Sequence, residues 1–488
     1  MRKIIFSVLC ALLLAAISAA AEETESTFKL KSYMLESGYK AEVTGEATSA
    51  EPIQNAIIRV YNKNLLKYDI DETITLNGGS TLTASKVNEV LLKKGLTSGE
   101  KELQISLVLT DKTVNVYTAS LYVTGTQPQA VNSSSLCSFK VNRSVSALTD
   151  GLLYNTNKIG KEGVKITLPS DFGGGTLELD WRLPPKTATI EYYDSSNKLL
   201  GADTIDNGFY VNCYEFGANV AGIFVYTPDE DASLANLALY KYMQVPSTVM
   251  RWEEVKENLD ILFIATHQDD EFLFFGGAIP YYCHTDANVA VMYTADCGVN
   301  RYYEAMSALW VSGLKSHPIF VGYPDYKAGS LSEAQRVWAR TGDIVEDVVE
   351  QIRKYKPKVI VTQDEAGEYG HFQHILTVDV VQEAVTKAAD PACYPESYEK
   401  YGAWQTQKLY IHLYDENTIY MDWTQELPGL GGINSIELAT VAYNRNISQL
   451  KDFSMEKQGV KYDNTKFGLY YTTVGEDVLK NDFLENVE

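Results

Sequence analysis

A chain of 488 residues is longer than one ordinary core organises, so its length predicts several domains. With 45% hydrophobic and 22% charged residues it has a globular balance, not that of a disordered tail. The formal charge of −22 argues against a nucleic-acid partner, because nothing in it would replace counterions along a phosphate backbone, and its plain consequence is solubility.

Residues 1–21 read as a signal peptide. Arg2 and Lys3 supply a basic start, Ile4 to Ile17 an apolar run, and Ala19-Ala20-Ala21 a small-residue cleavage site before Glu22. The run is shorter than the roughly 20 residues a membrane span needs. Cys10, inside the run behind Leu9, fits a lipid anchor poorly. No later stretch is apolar enough to cross a bilayer. The mature chain is therefore expected to lack a transmembrane segment and to be secreted, periplasmic or on the cell surface. Beyond the signal stand Cys137, Cys213, Cys283, Cys297 and Cys393, an odd set without metal-binding spacing, so no disulfide framework is expected.

From residue 22 to 130 short runs alternate apolar and polar residues, as in Leu103 to Leu109, and Asn77-Gly78-Gly79-Ser80 marks a turn between such runs. This block is expected to be a β-sandwich. Thr126 to Ser135 reads as a linker. A second β-rich block spans 136–245, with Thr176 to Trp181, Ala188 to Tyr193 and Ala221 to Tyr226 as strands. The order of its elements, from Leu148-Thr149-Asp150-Gly151 onward, resembles a discoidin-type jelly roll, which implies sugar binding. Trp181 or Tyr192, if exposed, would stack on a sugar ring; filling the core is the plainer alternative.

After Trp252 the pattern changes. Asp260 to Ala265, Val289 to Tyr293 and Lys358 to Thr362 are continuous apolar runs, the mark of strands buried on both faces of a parallel sheet. Between them Glu304 to Lys315 and Gly342 to Lys354 carry helical spacing. Residues 252–488 are thus expected to form a doubly wound, Rossmann-like α/β domain, so that the whole reads as two all-β sandwich domains followed by an α/β domain. Ligands of such sheets sit beyond the carboxyl ends of the strands.

The six histidines all lie at or after His267, which confines imidazole chemistry to this last domain. The first strand runs directly into Thr266-His267-Gln268-Asp269-Asp270-Glu271. Three carboxylates and an imidazole at one strand end are costly unless water, hydrogen bonds or a cation satisfies them, although a charged helix start also welcomes acids. The later strand runs into Gln363 to His374, with His371 and His374 sharing one helical face or turn. His267, Asp270 and His374 would together make a mixed nitrogen and oxygen site with a position open for water, as catalytic zinc needs. Such ligands also accept iron or cobalt.

Thr266 to Glu271 resembles the Ala-His-Pro-Asp-Asp-Glu signature of the LmbE/PIG-L family of zinc-dependent N-acetylglucosaminyl deacetylases. His371 to His374 resembles that family's His-Pro-Asp-His element, and Tyr293-Thr294 with Arg301 and Glu304 its threonine and Arg-x-x-Glu. The likeness runs from about Trp252 to the C-terminus, where Tyr410 to Tyr414 and Phe467 to Tyr470 are similar to secreted members. It implies one zinc ion held by His267, Asp270 and His374, with Asp269 as the general base. It implies His371 as the electrophile or acid beside the amide carbonyl, stabilising the oxyanion as an imidazolium. Arg301 would hold a substrate hydroxyl or phosphate, or else pair with Glu304 on the helix surface. Asp325 contacts substrate or simply forms a turn.

Two residues depart from the family pattern. Gln268 replaces its proline, which should loosen the turn between ligand and base, and Gln373 replaces an acid beside the metal histidine. His284, His317 and His412 have no acidic partner at ligand spacing and read as packing or surface residues. The expected function is removal of the N-acetyl group from a GlcNAc-containing sugar or glycoconjugate. The alternatives are a zinc amidase for another amide and a carbohydrate-binding protein with a degenerate deacetylase fold. Oligomeric state leaves no mark in the sequence.

Overall fold

The fold is that of a computed structural model, which describes residues 24–488 apart from 36–37, 63–66, 92–95, 97–98, 124–129, 132–134, 140–144, 229–231, 243–244, 247, 286 and 428–432. The expected signal peptide and most of the expected linker lie outside the described residues. The chain divides into two compact units, Met1–Gln127 and Pro128–Glu488.

In the first unit Thr24–Ser26, Glu46–Asn62, Lys67–Thr83, Gly99–Leu109 and Val114–Val123 form a five-stranded antiparallel sheet. A hairpin of Lys29–Leu35 and Gly38–Thr44 and a helix, Ala84–Leu91, complete it. The expected all-β sandwich therefore needs correcting. Val87 and Leu91 are one helical turn apart and bury beside Ile58, Leu82 and Leu107. Asn88 then ties the helix to the hairpin, its side chain bonding both the nitrogen (2.8 Å) and the oxygen (2.9 Å) of Val43.

The second unit opens with two antiparallel sheets, of five and four strands, closed over one core. Ala188–Tyr193 alternates buried and half-buried residues, as a sandwich strand should. Trp181 and Tyr192 point into this core, 0% and 8% exposed, so neither offers a face to a sugar. Their polar ends are bonded internally, Trp181 Nε1 to Asn212 Oδ1 at 3.0 Å and Tyr192 Oη to Asp203 Oδ2 at 2.6 Å.

The sandwich and the α/β part share this unit. The Tyr303 hydroxyl reaches the carbonyls of Trp181 (3.1 Å) and Tyr210 (2.8 Å), and the Phe209 ring stacks on His317 at 4.2 Å. His317 is thus a packing residue, as expected.

The α/β part is built on a seven-stranded sheet. In spatial order its strands are Ile319–Pro324, Val289–Asp296, Ile261–Ala265, Val359–Thr362, Lys408–His412, Lys466–Thr472 and Thr418–Tyr420. The first five pair in parallel and the last two antiparallel. In chain order the parallel strands run 3-2-1-4-5, the doubly wound arrangement. Alternate residues feed two cores. Ile261, Phe263 and Ala265 pack with the helices Val299–Ser312 and Ser435–Tyr443, and Leu262 and Ile264 with Ile344–Tyr355 and Phe372–Ala389. That double burial explains the unbroken apolar runs. Strand order reverses between Ile261–Ala265 and Val359–Thr362, so both motif segments emerge at the switch point where such sheets bind ligands. Among the described residues no helix is long and apolar enough to cross a membrane.

Candidate active site

The two strand ends are stitched together first. Thr266 N donates to Gln363 Oε1 at 2.7 Å, so the motif segments begin side by side. Gln268 follows fully buried, and its Nε2 donates to the Ala295 carbonyl on the next strand at 2.8 Å. The residue expected to loosen this turn instead pins it.

Asp269 stands at φ 135°, ψ −24°, a backbone region that side chains rarely enter. Glu271 Oε2 accepts its N–H at 2.8 Å, and Arg301 Nη2 bonds its Oδ1 at 2.7 Å as well as the Gln268 carbonyl. Such strain survives only where surrounding contacts enforce it, and it gathers at functional sites. Arg301 therefore grips Asp269 and forms no surface pair with Glu304. Glu304 instead accepts from Ser448, at 3.0 Å from the nitrogen and 2.6 Å from the hydroxyl.

Three donor atoms converge beside Asp269. His267 Nδ1 lies 3.1 Å from Asp270 Oδ2 and 3.1 Å from His374 Nε2, and His374 Nε2 lies 3.2 Å from Asp270 Oδ2. Ligands bonded at about 2.0–2.1 Å to one tetrahedral ion stand about 3.3 Å apart, so this near-equilateral triangle fits one face of a zinc-sized coordination sphere. Two imidazole nitrogens and a carboxylate are also the donors that such an ion takes. His371 adjoins this triangle: its ring centre is 4.8 Å from that of His267 and 4.7 Å from that of His374, and a ligand atom from each of the three histidines lies within 4.8 Å of the others.

The opposite ring atoms are held as well. His267 Nε2 faces Gln373 Oε1 at 3.2 Å and Asp325 Oδ1 at 3.6 Å, while Gln373 Nε2 donates to the Pro324 carbonyl at 2.8 Å. The amide at position 373 thus orients the imidazole without adding charge. His374 Nδ1 meets Glu368 Oε2 at 2.7 Å, and Glu368 Oε1 meets His412 Nδ1 at 3.1 Å. His412 is thereby not a bystander. Its acidic partner comes from a neighbouring strand connection, which spacing along the chain does not reveal.

Charge follows this layout. Burial and the Asp270 charge push Asp269 up to about 7 against the pull of Arg301 and the imidazoles. Burial also opposes charge on Asp270, but His374 and His267 outweigh it and hold that carboxyl well below its usual range. Burial works against a charged His374 too, yet Asp270 and Glu368 raise it to about 10. His371 is pushed down to about 3 by burial and then by the other two histidines, so its ring is neutral and the expected imidazolium is disfavoured.

A cleft of about 210 Å³ opens over this cluster. His267, Asp269, Asp270, Arg301, Asp325 and His371 all line it, and His374 lies beneath with no exposed surface. Tyr369, Gln449 and Phe453 form further walls that the sequence did not single out. Tyr369 sits inside the histidine segment, where its neighbours hinted at a role. Gln449 and Phe453 follow the helix Ser435–Tyr443 and carry no motif.

Residues 262–385 match the PIG-L family, described as GlcNAc-PI de-N-acetylase. The 1D-myo-inositol 2-acetamido-2-deoxy-alpha-D-glucopyranoside deacetylase of Rhodococcus erythropolis is 30% identical over 178 residues, covering 31% of this chain and 59% of that protein. The Rhodococcus jostii protein of the same description is 32% identical, covering 31% of this chain and 60% of its own length. This chain thus spans about three fifths of these curated relatives. Among solved structures, the N,N'-diacetylchitobiose deacetylase of Pyrococcus horikoshii is similar at 18% identity and a TM-score of 0.31, covering 40% of this chain and 73% of that one.

Proposed function

Proceeding from a PIG-L (LmbE) family domain at residues 262–385, we propose that the chain hydrolyses the N-acetyl group of a GlcNAc-containing sugar or glycoconjugate, and that His267, Asp270 and His374 hold one divalent ion, zinc by preference. The observation that carries this reading is the donor triangle with 3.1–3.2 Å edges, set directly beside a strained, buried Asp269. When bound, such an ion lowers the pKa of water and polarises the acetyl carbonyl.

The chain's own residues supply the rest. Asp269 takes a proton from the attacking water and passes it to the departing amine, so that the C–N bond breaks to acetate and a free amino sugar. Arg301 keeps that carboxylate aimed at the cleft while the fixed turn at Gln268 holds its backbone. His371, neutral in this setting, offers an N–H to the carbonyl oxygen as negative charge grows there. Asp325, at the rim, is placed to accept from a sugar hydroxyl. Tyr369 and Phe453 give the ring a partly apolar wall. Export by the Arg2-Lys3 leader would set this reaction outside the cytoplasm.

The test is acetate release from N-acetylglucosamine oligomers before and after chelation. Release that stops with chelator and returns with zinc supports the reading. Amine release from other amides without acetate favours a different zinc amidase, and a chain that takes up no metal sinks both.

A further inference from the structure

The deacetylase reading leaves one buried group without a task. Glu368 has no exposed side-chain surface and sits between two imidazoles that are equally enclosed, His374 and His412. Its backbone, at φ 53° and ψ −67°, breaks the short helix Gly367–Gly370. Conformations of this kind are strained and persist where contacts enforce them. Here the contacts are Oε2 with His374 Nδ1 (2.7 Å), and Oε1 with both His412 Nδ1 (3.1 Å) and the Asp364 N–H (3.0 Å).

We propose that Glu368, braced from behind by His412, sets the metal affinity of the His267–Asp270–His374 site; the inference rests on the metal reading above. His374 presents Nε2 to the donor triangle only if its proton sits on Nδ1, and the Glu368 carboxylate is the acceptor that fixes that tautomer. It also balances charge. Two imidazoles and one Asp270 carboxylate leave a divalent ion with a net positive charge, and Glu368 places the second negative charge one ring away. His412 keeps the carboxylate from rotating off His374. Its other nitrogen, Nε2, has no partner among the described residues, so holding Glu368 is its one polar contact there. The brace reaches beyond the family segment. His412 ends the strand Lys408–His412, whereas the PIG-L match stops at residue 385. Metal affinity thereby depends on a residue outside the matched segment.

The experiment is a zinc titration of the metal-free full-length chain against a chromophoric chelator, with circular dichroism to check folding. Glu368→Gln should bind zinc about 10–100-fold more weakly. His412→Phe, which suits a site already flanked by the Phe274 and Phe467 rings, should weaken binding in the same direction. His412→Asn, which restores an N–H toward Glu368, should recover most of the loss. A folded Glu368→Gln or His412→Phe chain with the parent's affinity overturns the proposal, and the His412 pair decides it if Glu368→Gln does not fold. A parent chain that binds no zinc overturns the metal reading itself, a result distinct from equal binding by parent and variants.

Discussion

Asp269 is the residue on which the site's local geometry turns. Its strained backbone is held by Glu271, by Arg301 and, one residue earlier, by the Gln268 side chain on Ala295. Gln268→Ala leaves the buried Ala295 carbonyl without a donor. It should cost on the order of 1–3 kcal/mol in thermal unfolding and lower kcat, because Asp269 loses its register. An unchanged melt together with unchanged turnover would remove Gln268 from this role. Here the limit of the sequence is easy to locate. His267, Asp269 and Asp270 were readable because they follow the strand Ile261–Ala265 at once, and His371 and His374 because they stand three apart in the segment after the strand Val359–Thr362. The part played by Gln268 was not, because its partner lies on the adjacent strand, and neither was the Glu368–His412 contact, whose members are far apart in the chain. His371 was readable as a cleft residue, but its neutral state depends on burial and on two neighbouring rings, which are properties of the fold.

At the scale of elements, the parallel sheet follows from its apolar runs, and its 3-2-1-4-5 order puts both motifs at one switch point. The helix carrying Arg301 starts at Val299, five residues before its periodic stretch, because Asp296 Oδ1 accepts the Gly298 N–H at 2.7 Å and organises the turn. The same helix leans on the sandwich through Tyr303, while Tyr210 packs edge-on against Tyr302, Tyr303 and Phe320. Tyr210→Ala should therefore destabilise the second unit by about 1–3 kcal/mol and reduce turnover at sub-saturating substrate, since Arg301 adjoins Tyr302. A stable variant with full activity would show that the sandwich does not support the site. Within the sandwich, burial holds the Glu178 carboxyl above its ordinary value, with the Tyr240 hydroxyl pulling the other way. The folded chain then keeps this proton more tightly than the unfolded one. Its contribution to stability is greatest at low pH and declines as pH rises from the unfolded pKa through the folded one. Glu178→Gln should accordingly melt with a parent-like offset near pH 4 and gain stability relative to the parent by pH 8. An identical difference at both pH values would contradict the burial argument.

For the molecule as a whole, the PIG-L match covers residues 262–385, while the cleft also draws on Gln449 and Phe453 and the Glu368 contact on His412. Zinc that binds only the folded chain should raise the melting temperature, by about 4 kcal/mol of stability at a thousandfold excess over Kd, and chelation should reverse it. The measurement that bears most directly on metal-assisted deacetylation pairs elemental analysis with acetate release, on the purified parent and on Asp269→Asn, using N-acetylglucosamine oligomers. The expected result is one metal ion per chain in both proteins, with acetate release falling by about 100-fold or more in Asp269→Asn. A metal-loaded parent that frees no acetate, or an Asp269→Asn chain that keeps the parent's rate, would contradict it.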